Sequence, residues 1–326
     1  MDNTDRKLLN LLQNRFPLVV EPFKALGLDL GIHEGELIER TTRLKERGII
    51  RQINAIFDSR ALGYQSTLVA MKVDPKRIDE AGEVISHHPG VSHNYQRDHV
   101  FNLWFTLTLP PSEDLEATVR SLEGKARAKR TLLLPALRTF KIGVSFDMTG
   151  EKDPFPSGEA KDPMANEPVA ISLSQIEVDL VRELQEDIPL EGRPFSGMAK
   201  RLGITEEELL KKARVFQERG LMRRFAAVLR HQKAGFSFNA MGVWRVPEGR
   251  VEEVGKVMAS FSGVSHCYQR PTYPDWPYNL FTMVHGRTKE DCIGILRAIS
   301  EKIEISDYTP IFSIKEYKKV RVRYFV

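Results

Sequence analysis

The chain states one motif twice. Residues 90–104 read GVSHNYQRDHVFNLW, and residues 263–281 read GVSHCYQRPTYPDWPYNLF. Both share the frame G-V-S-H-x-Y-Q-R, followed by Asn-Leu and an aromatic. The repetition runs well beyond the motif. LKERGIIRQINAIFDSRALGY (44–64) aligns with FQERGLMRRFAAVLRHQKAGF (216–236), placing Gly48 opposite Gly220 and Gly63 opposite Gly235, both 172 residues apart. His93 and His266 are 173 apart and Asn102 and Asn279 are 177 apart, so the second copy carries four extra residues within PTYPDWP. A fold that suits one copy must suit the other, which restricts the chain to two like halves.

Each half divides again. Its first part has three short helical segments: DRKLLNLLQN, EPFKALGL and EGELIERTTRLKERG in the first half, QIEVDLVRELQED, FSGMAKRLG and EEELLKKARVFQERG in the second. Ser174 and Thr205 stand where caps belong, and Gly203 and Gly220 where helices stop. Three helices with a turn before the third predict a helix-turn-helix unit. The second part alternates. QSTLVAMKV reads as a strand, PKRIDEAGEVISHH as a helix, VSHNYQR and VFNLWFTLTL as strands, SEDLEATVRSLEGKA as a helix and RTLLLPALRTFKIGVSF as a last strand. The order βαββαβ is that of a ferredoxin-like sandwich. The expected class is α+β, with helix-turn-helix units at 1–60 and 172–232 and ferredoxin-like domains at 61–150 and 233–326. A proline-rich linker is expected at 151–171, where neither helix nor ladder can propagate.

Composition narrows the setting. Hydrophobic residues are 41% and charged residues 28% of 326, which suits a globular chain and leaves no apolar run near the roughly 18 residues of a membrane span. The opening MDNTDRKLLNLLQ lacks the apolar core of a signal peptide. Cys267 and Cys292 are the only cysteines. They make neither a disulfide framework nor a metal-ligand spacing, and a cytoplasmic location is expected. A net charge of +4 admits an anionic ligand or nucleic acid.

Strand periodicity sorts the motif into rows. Residues i, i+2 and i+4 share a face, so His266, Tyr268 and Arg270 project together, as do His93, Tyr95 and Arg97, with His99 continuing that row. On the adjoining strands, Asn279, Phe281, Met283 and His285 form one row, and Asn102, Trp104 and Thr106 another. Arginine grips carboxylates with a planar fork, histidine exchanges protons near neutrality, and aromatic rings stack on flat ligands. The set suits a flat, anionic ligand. Arg223 and Arg224, just after the third helix of the second half, are further candidates to clamp its carboxylates. Tyr273, Trp276 and Tyr278 in the inserted segment are expected to form an aromatic lid over the second half's site, excluding water there. His266 is then the expected proton donor and Arg270 its carboxylate clamp. DNA reading is disfavoured, because Glu34, Glu36 and Glu39 open one candidate reading helix and Glu206, Glu207 and Glu208 the other, facing phosphate with like charge.

Helix-turn-helix followed by βαββαβ resembles the layout of Lrp/AsnC transcription regulators. G-V-S-H-[NC]-Y-x-R with the later [YF]-N-L-[WF] resembles siroheme decarboxylases, which are built on that plan. The first half is similar to their A (or D-type) subunit and the second to their B (or L-type) subunit, so the chain looks like a natural fusion of the two. The resemblance implies removal of two acetate carboxyls of siroheme to give didecarboxysiroheme, for haem or haem d1 synthesis. It implies no cofactor beyond the substrate's iron, with His93 available to ligate that iron. It also implies intramolecular pairing of the halves, with room for further self-association and no membrane partner. The competing expectations are a DNA-binding regulator and a haem-binding sensor without turnover.

Overall fold

The computed structural model describes residues 1–14, 16–142, 172–230 and 238–326. The expected linker, 151–171, lies outside the described residues. Both amino-terminal units are three-helical: α1 Asn3–Asn14, α2 Pro22–Leu30 and α3 Glu34–Glu46, then α6 Gln175–Leu184, α7 Ser196–Leu202 and α8 Glu206–Glu218. Local chemistry sets the ends. Pro22 sits in the first turn of α2, where its missing N–H costs nothing. Ser174 with Glu177 and Thr205 with Glu208 close capping boxes on α6 and α8, each satisfying two orphan donors. The two units share one apolar core, which includes Leu8, Leu12, Phe23, Leu180, Phe195 and Phe216. Strands β1 (Ile50–Phe57) and β7 (Met222–Leu229) leave the two units and pair antiparallel with each other. The joint is reinforced by Ile188 N–H donating to the Ile53 carbonyl at 3.0 Å and Arg214 Nη1 donating to the Leu18 carbonyl at 2.8 Å.

The carboxy-terminal part of each half is a four-stranded sheet with two helices. In the first half these are β2 (Gln65–Lys72), α4 (Ile78–Ser86), β3 (Val91–Arg97), β4 (Leu103–Leu109), α5 (Leu115–Ala126) and β5 (Arg130–Pro135). The second half has β8 (Phe238–Trp244), α9 (Val251–Ser260), β9 (Val264–Gln269), β10 (Leu280–Gly286), α10 (Lys289–Ile303) and β11 (Tyr308–Lys319). The orders β5-β2-β4-β3 and β11-β8-β10-β9 match the expected ferredoxin-like topology.

The last strand of each half does more than close its own sheet. β11 pairs with β8 over Tyr308–Phe312, then crosses to pair with β3 over Ser313–Lys319. The first half repeats the move: after β5, Ala136 and Leu137 lead into β6 (Arg138–Ile142), which pairs with β9. The result is one nine-stranded sheet, β5-β2-β4-β3-β11-β8-β10-β9-β6, whose two edge strands are joined by two residues.

Matching contacts fasten each exchanged strand. The Tyr317 ring lies over Gly82 and the Phe140 ring over Gly255; a Cβ on either glycine would stand 2.6 or 2.5 Å from the ring. Only glycine admits so close an approach. Lys318 Nζ donates to the Ser86 and His88 carbonyls at 2.7 and 2.9 Å, and Lys141 Nζ to the Phe261 carbonyl at 2.7 Å. Each ammonium thus meets the negative end of a helix belonging to the other half. The halves are paired within the chain, through their sheets and their helical units alike.

Candidate active site

A cavity of about 1320 Å³ opens between the two helical units and the shared sheet. Both repeat motifs face into it. β3 contributes His93, Tyr95 and Arg97, and β9 with the residue after it contributes His266, Tyr268 and Arg270. The two rows have the same internal geometry. His93 and Tyr95 have ring centroids 6.4 Å apart, His266 and Tyr268 6.0 Å. The guanidinium carbons of Arg97 and Arg270 lie 5.6 and 4.8 Å from the adjacent tyrosine rings. Each arginine is anchored by the other half: Arg97 Nη1 donates to the Ile311 carbonyl of β11 at 3.2 Å, and Arg270 Nη1 to the Leu134 carbonyl of β5. Strand exchange is what brings those carbonyls into reach.

The rows differ in detail. Tyr95 donates its hydroxyl to Glu316 at 3.1 Å. The residue matching Glu316 beside Tyr268 is Thr139. Ser92 Oγ lies 3.0 Å from His93 Nδ1, and Ser265 Oγ lies 2.9 Å from His266 Nδ1 and 2.9 Å from His285 Nε2.

The walls are strongly basic. Among the described residues, ten arginine and lysine side chains line the cavity against four carboxylates. Arg223 is tied to Asp58 at 2.7 Å; burial lowers the Arg224 pKa, as does Arg223 beside it. Burial holds both histidines neutral. It pushes His93 down to about 4, helped by Lys319 and Arg51. It pushes His266 down to about 4, helped by His93 and then Arg223. Both imidazoles line the same cavity.

The duplicated portion 61–141 and 233–318 matches the family model for the AsnC-like ligand binding domain, and 5–51 and 177–223 match the siroheme decarboxylase NirDL-like helix-turn-helix domain. The siroheme decarboxylase of Hydrogenobacter thermophilus is 45% identical over 327 residues, covering 100% of this chain and 96% of the relative. The chain belongs to the siroheme decarboxylase family. A siroheme decarboxylase beta subunit of Methanosarcina barkeri is 48% identical over 46% of this chain and 99% of its own length, so this family member unites in one chain what that organism keeps as a separate subunit. A crystal structure of the siroheme decarboxylase NirDL in complex with an iron-uroporphyrin III analogue superposes with a TM-score of 0.75 at 41% identity, covering 99% of this chain and 95% of that one.

Within this siroheme decarboxylase fold, several expected site residues stand elsewhere. Asn102 and Asn279 do not line the cavity. Each turns its amide back on the strand beside it, Asn102 to the N–H and carbonyl of Val73 (2.9 and 3.0 Å) and Asn279 to those of Val246 (2.9 and 2.8 Å). Both precede the first residue of their strand, where alternation does not yet hold. His99 lies past the end of β3; its Nδ1 accepts from Phe101 N–H, and its ring meets Trp276 at 5.4 Å. The inserted segment is not a lid over the site. Trp276 is 1% exposed and packs against Phe101, Trp104 and Phe281, while Tyr278 bonds to Thr309 and Tyr273 to the Leu133 carbonyl. Tryptophan needs a large apolar seat, and the seam between the halves supplies it. Trp104 and Phe281 form part of the cavity wall, so the segment buttresses that wall from behind.

Other lining residues escaped the sequence reading. Arg51 stands 172 residues before Arg223, so the repeat offset alone points to it. Lys319, Arg321 and Arg323 of the carboxy-terminal segment line the cavity together with Val320 and Val322 between them; the clustered cations of KKVRVRYF were the available signal. Ser92 and Ser265 lie inside the motif and touch its histidines.

Binding of a polycarboxylate should take up protons. Carboxylates near His93 raise its pKa from about 4, so uptake occurs between pH 4 and the raised value, and binding tightens as pH falls from 7 towards 5. Titration calorimetry with an acetate-bearing porphyrin in two buffers of different ionisation enthalpy measures it; identical heats in both would contradict this. Without ligand the sign is opposite for stability: histidines depressed below the unfolded value of about 6.5 stabilise the fold above that pH, and the contribution is lost as pH falls from there to 4.

Proposed function

We propose that this chain is a carboxy-lyase that removes two acetate carboxyls from siroheme, giving didecarboxysiroheme, with no cofactor beyond the iron of the substrate. The observation that carries the reading is the convergence of two His-Tyr-Arg rows, one from each subunit-like half, on a single basic cavity. A cavity of 1320 Å³ exceeds the roughly 300–1,000 Å³ of ordinary ligand pockets and suits a tetrapyrrole. Siroheme is ringed with carboxylates, and the excess of cationic side chains offsets that charge.

Loss of carbon dioxide sends the electrons of the carbon–carbon bond into the conjugated ring, and a proton then replaces the carboxylate. The protein's part is to hold the carboxylates, exclude water and deliver that proton. Arg97 and Arg270, fixed by carbonyls and tyrosine rings, are rigid anchors. His266 is the proton donor in this reading, and His93 meets the other side of the macrocycle or its iron.

Anaerobic incubation with siroheme tests the proposal. The tetrapyrrole should lose two carbon dioxide molecules by mass spectrometry without added cofactor. Siroheme that binds and keeps its mass would favour a carrier or sensor. A regulator has less support, because the relatives that match along almost the whole chain are siroheme decarboxylases.

A further inference from the structure

Ser265 serves three partners with one hydroxyl. Its Oγ lies 2.9 Å from His266 Nδ1, 2.9 Å from His285 Nε2 and 3.2 Å from the Met283 carbonyl oxygen. A hydroxyl has one proton to give and two lone pairs to offer. The carbonyl can only accept. If the hydroxyl proton goes to His266 Nδ1, neutral His266 carries its own proton on Nε2, and His285 must donate from Nε2. Turned to the Met283 carbonyl, the hydroxyl would instead accept from both imidazoles; turned to His266, it makes the proton position on one histidine set the tautomer of the other.

Among the described residues, the first half lacks this chain of contacts. Ser92 Oγ lies 3.0 Å from His93 Nδ1, but Thr108 stands where the repeat has His285, and its hydroxyl bonds to Ser66 Oγ at 2.9 Å. The asymmetry falls at matched positions of matched strands. His266 and His285 both line the cavity, whereas Ser265 is 7% exposed and sits behind them.

We propose that Ser265 and His285 are positioning residues that form a proton relay feeding His266, present in the second half alone. The inference rests on the decarboxylase reading and deepens it. In the loaded state His285 is an imidazolium, Ser265 accepts from its Nε2–H, and His266 Nδ1 accepts from Ser265. When carbon dioxide leaves, the electron pair of the broken C–C bond takes the Nε2 proton of His266 to form the C–H bond. The Ser265 proton passes to His266 Nδ1, and the His285 Nε2 proton passes to Ser265. Carboxylate and imidazolium begin with opposite charges; both histidines and the product carbon end neutral, and solvent reprotonates His285. The positive charge thus stays on His285 until the protons move, and the donor itself remains neutral throughout.

The test follows siroheme decarboxylation by the full chain with Ser265→Ala, Ser265→Thr and His285→Gln. Glutamine keeps a donor beside Ser265 but cannot pass a proton on. The relay predicts that kcat falls at least about tenfold in Ser265→Ala and His285→Gln, within the 10²–10⁴ that a placed general acid contributes, with KM little changed. Ser265→Thr should recover most of the rate. In mixtures of light and heavy water, the wild-type rate should curve with deuterium fraction, reporting several protons in flight, and the curve should straighten in the two slow variants. Nitrogen NMR of His266 with metal-free uroporphyrin bound should show a bare Nδ1, converted in Ser265→Ala. Wild-type protein that leaves siroheme intact would sink the decarboxylase reading itself. An active wild type with equally active variants, a straight isotope plot, or a protonated Nδ1 on bound His266 would overturn the relay alone.

Discussion

Replacing His266 by alanine lowers siroheme turnover by about 100-fold or more, at the lower end of what a well-placed general acid contributes, while the tetrapyrrole still binds. The imidazole lies in the basic cavity and is held through Nδ1 by Ser265. Removing it deletes the proton source and leaves the cations that hold carboxylates in place. His93→Ala should act differently. His93 has a serine but no second histidine behind it, and its loss should disturb affinity or the visible spectrum of the bound iron more than the proton-transfer step. Turnover and the spectrum of bound siroheme, measured on both variants, separate these roles. Full activity in His266→Ala, or an exchange of the two phenotypes, would remove the assignment.

Trp276→Ala should cost about 3–5 kcal/mol of stability, the range for deleting a buried large aromatic. The indole is 1% exposed, with ring centroids of Tyr278, His99, Trp104 and Phe101 at 5.1, 5.4, 5.4 and 5.7 Å. Its apolar cluster joins Ala70, Leu132 and Leu134 of the first half to Met241, Val243 and Ile311 of the second. The cavity left behind would lie in the seam that pairs the halves, so the damage is to assembly of the site. Urea unfolding with an unchanged midpoint, together with lost ligand affinity, would restore the role of a lid.

The duplication made most of the architecture readable, because each helix cap, strand and motif was tested against a second copy. The alternation of His, Tyr and Arg gave both rows, since a side chain's face follows from period 2 wherever the strand is regular. The same rule failed at three positions just outside the strands. Asn102, Asn279 and His99 flank β3, β4 and β10, where the backbone turns and side chains close onto neighbouring backbone groups instead. Strand exchange was not legible for another reason. The residues of β6 and the second part of β11 look like ordinary strand continuations, and an alternating pattern does not say which edge it will join. Tyr317 over Gly82 and Phe140 over Gly255 decide that, through contacts remote in sequence. Trp276 was misread because an aromatic, proline-rich insertion describes a buttress as well as a cover.

The central claim is that two rows serve one cavity, and the binding stoichiometry of an iron porphyrin bearing acetate side chains tests it most directly. Titration of the full chain, followed by visible absorbance and calorimetry, should saturate at one macrocycle per chain, with His93→Ala and His266→Ala each perturbing that same event. Two macrocycles per chain, each sensitive to only one histidine, would show two independent sites and contradict the shared active site.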